Sequence, residues 1–217
     1  FPNNRLQNHI HYHNNKMNIF KHQTKEDYLI YSSDNEYLNN KMSEFDYKAT
    51  KYNVRFDNEN LLGNDVRIVD KDVFINNELV YTDTERKLLG DHNLKNIMFV
   101  LTIAKILNLD LDKAKETIKE FNGLKYRMEY IGKYHNINYY NDTIATIPDA
   151  TINAVKAIKN VDTLIFGGMD RKIDYSEFIE FLRNSDISNL ICMPTTGTNI
   201  GKLLEDTSKN ILYASTL

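Results

Sequence analysis

The sequence has 217 residues with 27 basic and 30 acidic side chains, a formal net charge of −3, and so lacks the electrostatic footprint of a nucleic-acid or membrane-surface binder. Domains usually hold roughly 100–150 residues, so this length builds one large core or two small ones. One cysteine excludes an intrachain disulfide, and no apolar run approaches the ~20 residues needed to cross a bilayer.

Cys192 lies in the apolar run Leu190-Ile191-Cys192-Met193, which reads as a buried thiol in a reducing compartment. The start, Phe1-Pro2-Asn3-Asn4-Arg5, lacks the apolar centre of a signal peptide. The expectation is a soluble, cytoplasmic, monomeric protein. Both ends are expected to be cut, because no initiator methionine is present and Ala214 to Leu217 follow an apparent strand where a helix is due.

In chain order, His9, His11 and His13 alternate near the start and Lys16 follows them. Alternation on an extended segment suits a metal site or three water-facing histidines equally. Short apolar runs at 28–31, 66–69 and 73–75 predict small strands joined by polar turns. From Leu94 to Leu107 the apolar residues keep helical spacing, as they do again from Asp112 to Phe121, where Asn122-Gly123 supplies a stop. A domain boundary is placed there, dividing 1–122 from 123–217.

Beyond it the pattern alternates regularly. Strands are expected at Ile137–Tyr140, Thr163–Phe166 and Leu190–Met193, with helices at Pro148–Lys159 and Tyr175–Arg183. Such alternation predicts an α/β domain in which the three strands lie side by side in a mostly parallel, helix-covered sheet. Pro148 suits a first helical turn, and Asp174 with Glu177 reads as a capping box. Ligands of these sheets bind at loops leaving the strands' carboxyl ends.

Four polar segments could carry chemistry. Gly90-Asp91-His92-Asn93-Leu94-Lys95-Asn96 opens the first long helix and puts the Asn93 and Asn96 amides on one face. An amide can read a base edge, donating and accepting at once, although capping by Asp91 or Asn93 explains the same letters locally. Gly123-Leu124-Lys125-Tyr126-Arg127-Met128-Glu129 offers a guanidinium fork for a phosphate across a cleft between domains, or a surface pair between Arg127 and Glu129. Asn141-Asp142-Thr143-Ile144-Ala145-Thr146 follows a strand, where a carboxylate can accept ribose hydroxyls or serve an ordinary turn. Gly167-Gly168-Met169-Asp170-Arg171-Lys172 follows the next strand, with two cations that suit a carboxylate substrate or solvent.

Taken in that order, the four segments resemble the motifs of the Mur ligases, particularly the members that add D-glutamate. Asn8-His9-Ile10-His11-Tyr12-His13 is similar to the family's Asp-His-Leu-Asp-x-His segment, and Asn15-Lys16-Met17-Asn18-Ile19 to its Ala-Lys-x-x-Ile segment. Nothing like the family's Gly-Lys-Thr phosphate loop occurs in these 217 residues, since relatives carry it upstream of the region resembled.

The resemblance implies the later part of a central ATP-binding domain over 1–122 and part of a Rossmann-like carboxyl-terminal domain over 123–217. It implies ATP and Mg2+ as cofactors, with UDP-N-acetylmuramoyl-L-alanine and D-glutamate as substrates. Asn93 and Asn96 would lie at the nucleotide, Arg127 at its terminal phosphates and Asp142 at the ribose. Thr146, Arg171 and Lys172 would approach D-glutamate. Lys16, carbamylated, would hold magnesium together with His9, and Lys16 and Arg127 would serve catalysis. The stretch alone is expected not to hydrolyse ATP. Ile144 stands where relatives commonly carry lysine, so a ligase for another amino acid or for polyglutamate is one alternative, and a nonenzymatic nucleotide-binding module that lost the phosphate loop is the other.

Overall fold

A computed structural model describes residues 14–44, 47–56 and 64–216. The chain divides into two units, Phe1–Arg86 with Asn93–Phe121, and Lys87–His92 with Asn122–Leu217.

Unit 1 is built on a five-stranded sheet in the order β1 (Tyr28–Ser32), β2 (Thr50–Arg55), β3 (Asn64–Val69), β4 (Asp72–Ile75), β5 (Glu78–Thr82). The first three strands are mutually parallel, and the last two turn back antiparallel. The β4–β5 reversal follows from Asn76-Asn77, both at positive φ (52° and 65°), the conformation of a two-residue hairpin turn that asparagine tolerates. The sequence expectation found β1, β3 and β4 but not β2 or β5. Thr50-Lys51-Tyr52-Asn53-Val54-Arg55 buries Val54 and Arg55 together, breaking the alternation that a sequence pattern needs.

Two helices cover this sheet's core, α3 (Asp91–Ile106) and α4 (Leu111–Glu120). Leu94, Ile97, Met98 and Leu101 of α3 pack with Val54, Val66, Val73 and Ile75 of the strands. Each such side chain contributes about 1.5–3 kcal/mol by leaving water. Asp110 caps α4, accepting from the backbone N–H groups of Asp112 and Lys113 at 3.0 Å. A smaller cluster joins Met17 and Phe20 of the helical residues 14–21 (α1), Leu29 of β1 and Met42 of α2 (Glu36–Glu44).

Unit 2 contains a hairpin, β6 (Glu129–Tyr134) with β7 (Ile137–Asn141), and a parallel sheet in the order β10 (Asn210–Tyr213), β9 (Asn189–Thr195), β8 (Thr163–Gly168). The expectation that Ile137–Tyr140 would lie beside the next two strands in one parallel sheet is corrected here. That strand pairs antiparallel with β6, through a His135-Asn136 turn whose residues both take positive φ. A two-residue turn of this type closes a local hairpin, whereas parallel pairing requires a long crossover. β8 and β9 are parallel neighbours, as expected.

Helices α5 (Pro148–Ile158), α6 (Ser176–Asn184) and α7 (Thr196–Lys202) accompany the parallel sheet. Pro148 occupies the first turn of α5. The capping box at α6 is also corrected: the N-cap is Tyr175, and Asp174 itself accepts from the Ser176 backbone N–H at 2.9 Å and from its hydroxyl at 2.7 Å. Ile152, Phe178, Leu182, Leu190, Cys192 and Leu204 form the core. Burial pushes the Cys192 thiol above its ordinary range, which fits packing rather than reactivity.

Candidate functional site

Gly90 precedes α3 at φ +87°, and a side chain there would lie 2.8 Å from the His92 imidazole, so glycine suits the turn. Asn96 is exposed and Asn93 half-buried on the first turns of the helix. Between them Lys95 turns to the sheet. Its ammonium pairs with Asp34, donates to the Ser32 hydroxyl at 3.2 Å and stands 4.9 Å from the centre of the Phe56 ring. Asp34 also accepts the Phe56 backbone N–H at 3.2 Å. Sequence reasoning passed over Lys95 and Asp34, which are 61 positions apart and share no local pattern.

Lys16 is exposed on α1, directly before the buried Met17, which with Phe20 seats the helix. His9, His11 and His13 lie outside the described residues. Among the described residues no three His, Cys, Asp or Glu side chains are grouped to hold a metal ion. As an ammonium, Lys16 repels magnesium, and only as a carbamate would it offer the oxygens that magnesium prefers.

In unit 2 the structure brings the Arg127 and Asp142 segments together. The Met128 backbone N–H donates to Asp142 Oδ1 at 3.0 Å, and the Ile144 N–H donates to the Tyr126 carbonyl at 3.2 Å. The Tyr126 N–H donates to Glu129 Oε2 at 2.8 Å. Glu129 is thus engaged by backbone, and the surface pair with Arg127 does not form. Tyr126 and Met128, on either side of Arg127, take φ of 64° and 45°. Left-handed conformations at residues with bulky side chains cost about 1–2 kcal/mol each and persist where surrounding bonds hold them. The exposed Arg127 guanidinium makes no hydrogen bond or ion pair among the described residues.

Asp142 is half-buried just beyond β7, and its second oxygen has no hydrogen-bond partner among the described residues. Asn141 follows the ordinary turn reading, accepting the Thr143 N–H at 3.2 Å. Thr146 does not cap α5, because the N-cap is Ile147, which lends no side-chain bond. Its exposed hydroxyl is therefore available to solvent or ligand.

The Gly167–Lys172 loop leaves the carboxyl end of β8 and is held by β9 and α7. A side chain at Gly167 would meet the Met193 carbonyl oxygen at 2.5 Å, and one at Gly197 the Phe166 carbonyl oxygen at 2.4 Å. The Thr196 hydroxyl donates to the Gly168 carbonyl at 3.0 Å. Asp170 closes the tip by accepting the Lys172 N–H at 2.8 Å, and both Arg171 and Lys172 are exposed. Sequence reasoning missed Thr196 and Gly197, although a Thr-Gly pair directly after an apolar strand is the available signal.

In unit 1 the amides on the first turns of α3 suit a group that both donates and accepts, while in unit 2 the exposed guanidinium and the two cations of the glycine loop suit anionic groups and the open Asp142 oxygen suits a hydroxyl donor. No helix among the described residues is long and apolar enough to cross a membrane.

Residues 4–104 match the Mur ligase middle domain. The chain is 29% identical over 214 residues to the UDP-N-acetylmuramoylalanine–D-glutamate ligase of Lachnoclostridium phytofermentans, covering 93% of this chain and 44% of that protein. It is 30% identical over 203 residues to the ligase of that name from Clostridioides difficile, covering 90% and 42%. The chain thus spans less than half the length of these relatives. Among solved structures, MurC of Thermotoga maritima shares the fold with a TM-score of 0.60 at 18% identity, covering 88% of this chain and 52% of that one. MurF of Acinetobacter baumannii follows at 0.57 and 13%, covering 90% and 50%. The middle-domain match, the relatives aligned along nearly all of the sequence and the shared fold converge on one likeness: the chain is similar to the Mur ligases.

Proposed function

We propose that this chain is part of an ATP-dependent amide ligase of peptidoglycan-precursor synthesis that joins D-glutamate to UDP-N-acetylmuramoyl-L-alanine. The observation that carries this reading is the alignment of nearly the whole chain with ligases named for that reaction. Residues 1–122 would be the later part of the central domain and 123–217 part of the carboxyl-terminal domain.

In the reaction the alanyl carboxylate attacks the terminal phosphorus of ATP, releasing ADP and leaving an acyl phosphate. The amine of D-glutamate then attacks the acyl carbon, and inorganic phosphate leaves as the amide forms. Two anions must meet in the first step. Arg127 would offset their repulsion, since its guanidinium is exposed and its loop is pinned on both sides by backbone bonds. Asp142 would accept a ribose hydroxyl on Oδ2 while Oδ1 holds that loop through Met128. Asn93 and Asn96 would read the base. Thr146, Arg171 and Lys172 would receive D-glutamate, the cations balancing its carboxylates. Lys16 as a carbamate, with His9, would hold magnesium, which supplies positive charge at the transferring phosphate.

Incubating the full-length protein with UDP-N-acetylmuramoyl-L-alanine, ATP and Mg2+, and offering D-glutamate, L-glutamate, L-lysine and diaminopimelate separately, tests the acceptor. Product mass should rise by one glutamate residue with the D isomer alone. Preference for another acceptor would place the protein elsewhere in the family, where Ile144 would be the first residue to examine. No product with any acceptor would favour a nonenzymatic nucleotide-binding role.

A further inference from the structure

We infer that Lys95 is a positioning residue for nucleotide recognition, its ammonium tying the first turns of α3 to the carboxyl ends of β1 and β2 and thereby fixing the amides of Asn93 and Asn96. This inference rests on the reading that those amides meet the base of ATP.

The tether joins three elements at one point. Ser32 ends β1, Asp34 lies two residues beyond it, and Phe56 follows β2. Lys95 reaches all three, and Asp34 is itself bonded to the Phe56 backbone, so the ion pair is braced from both strands. The paired side chains are only 24% and 28% exposed. Partial desolvation and the bracing bonds set it apart from a solvated surface pair, whose contribution is often nil.

Position on the helix gives the tether its consequence. At 3.6 residues per turn, Lys95 lies about 200° around the axis from Asn93 and about 100° from Asn96. The lysine can therefore hold the sheet without occupying the amides' face. Leu94, Ile97 and Met98 fix the helix toward the core. The first turn is nonetheless the weakest stretch of any helix, because its leading N–H groups lack intrahelical partners and helix ends fray. An amide reading a base edge must donate and accept in one plane, so small motion of that turn loses both bonds together.

Calorimetry on the full-length protein, giving dissociation constants for ATP and GTP, tests the inference without requiring turnover. Lys95→Met keeps the apolar stem and removes the charge. It should weaken ATP binding about 5- to 10-fold, the value of roughly one hydrogen bond, with little change for GTP, so that base preference collapses. Lys95→Arg should restore the preference, since a guanidinium keeps the charge and the stack on Phe56. Asp34→Asn, which leaves the lysine in place, carries the same expectation and replaces Lys95→Met if that variant does not fold. Asn96→Ala checks the underlying reading separately. If Asn96→Ala leaves base preference intact, the amides do not read the base and the inference falls with that reading. If Asn96→Ala abolishes the preference while Lys95→Met and Asp34→Asn retain it, the reading stands and the role of Lys95 is overturned. Equal weakening for ATP and GTP would overturn it as well, because Lys95 would then be acting on the phosphates.

Discussion

At the scale of single residues, Arg127 shows how local backbone and proposed chemistry meet. The two positive-φ residues beside it cost free energy, and three hydrogen bonds hold them in a conformation that an unconstrained surface loop would not retain. Replacing Arg127 by alanine should leave the fold intact and lower ligation on the order of 100-fold, the usual loss when one donor to developing charge is removed. Lys16→Ala should depress ligation on a similar scale, with partial recovery in short carboxylic acids that replace the carbamate. A solvated lysine would instead change stability by less than about 0.5 kcal/mol and leave turnover alone. Both are read by initial rates at saturating ATP and Mg2+. The residues at 93, 96, 127, 142 and 171 could be singled out from the sequence because each belongs to a short polar segment that carries a glycine or leaves a strand. Lys95 could not, since its partners at 32, 34 and 56 come from other elements and only folding assembles them.

Tyr81 supplies a pH dependence at the same scale. Burial first, then the charge of Asp83 and a hydrogen bond to it, push the phenol up from 10.0 to about 12. A raised folded-state pKa favours the protonated form, so this stabilisation is complete below pH 10 and lost as pH rises from about 10 to 12. Urea denaturation across that window should show Tyr81→Phe losing stability less steeply than the parent. Parallel slopes would show that Tyr81 does not contribute.

At the scale of elements, legibility followed the length and regularity of the pattern. α3 was readable because its apolar positions repeat over four turns, and β8 and β9 because their runs are apolar and separated by one amphipathic helix, α6. The misassigned neighbour was β7, where Ile137-Asn138-Tyr139-Tyr140 looks equally apt for a parallel strand and only the positive φ of His135 and Asn136 commits it to a hairpin. α7 was missed because Thr196-Gly197-Thr198-Asn199 contains poor helix formers. Its glycines are explained by close approach: Gly197 lies against the Phe166 carbonyl, and Gly201 against the Cys192 sulfur. Alanine ordinarily gains about 1 kcal/mol over glycine within a helix. At Gly197 the new methyl would lie 2.4 Å from a carbonyl oxygen that cannot rotate away. The clash should prevail, and Gly197→Ala should destabilise unit 2 by about 2 kcal/mol in chemical denaturation. In unit 1, Leu101→Ala removes a fully buried side chain and should cost about 2–5 kcal/mol.

At the scale of the whole molecule, the middle-domain match ends at residue 104, while the D-glutamate ligases align well past it. Similarity to those ligases therefore extends into both units. Net charge near neutrality leaves recognition of anions to the local cations named above. The central claim, amide formation through an acyl phosphate, is tested most directly by isotope transfer. UDP-N-acetylmuramoyl-L-alanine carrying 18O in its alanyl carboxylate is incubated with the full-length protein, ATP, Mg2+ and D-glutamate, and the released phosphate is weighed by mass spectrometry. One carboxylate oxygen should appear in each phosphate released, in step with amide product. Phosphate released without the label would mean that ATP is cleaved by water, and would contradict the account.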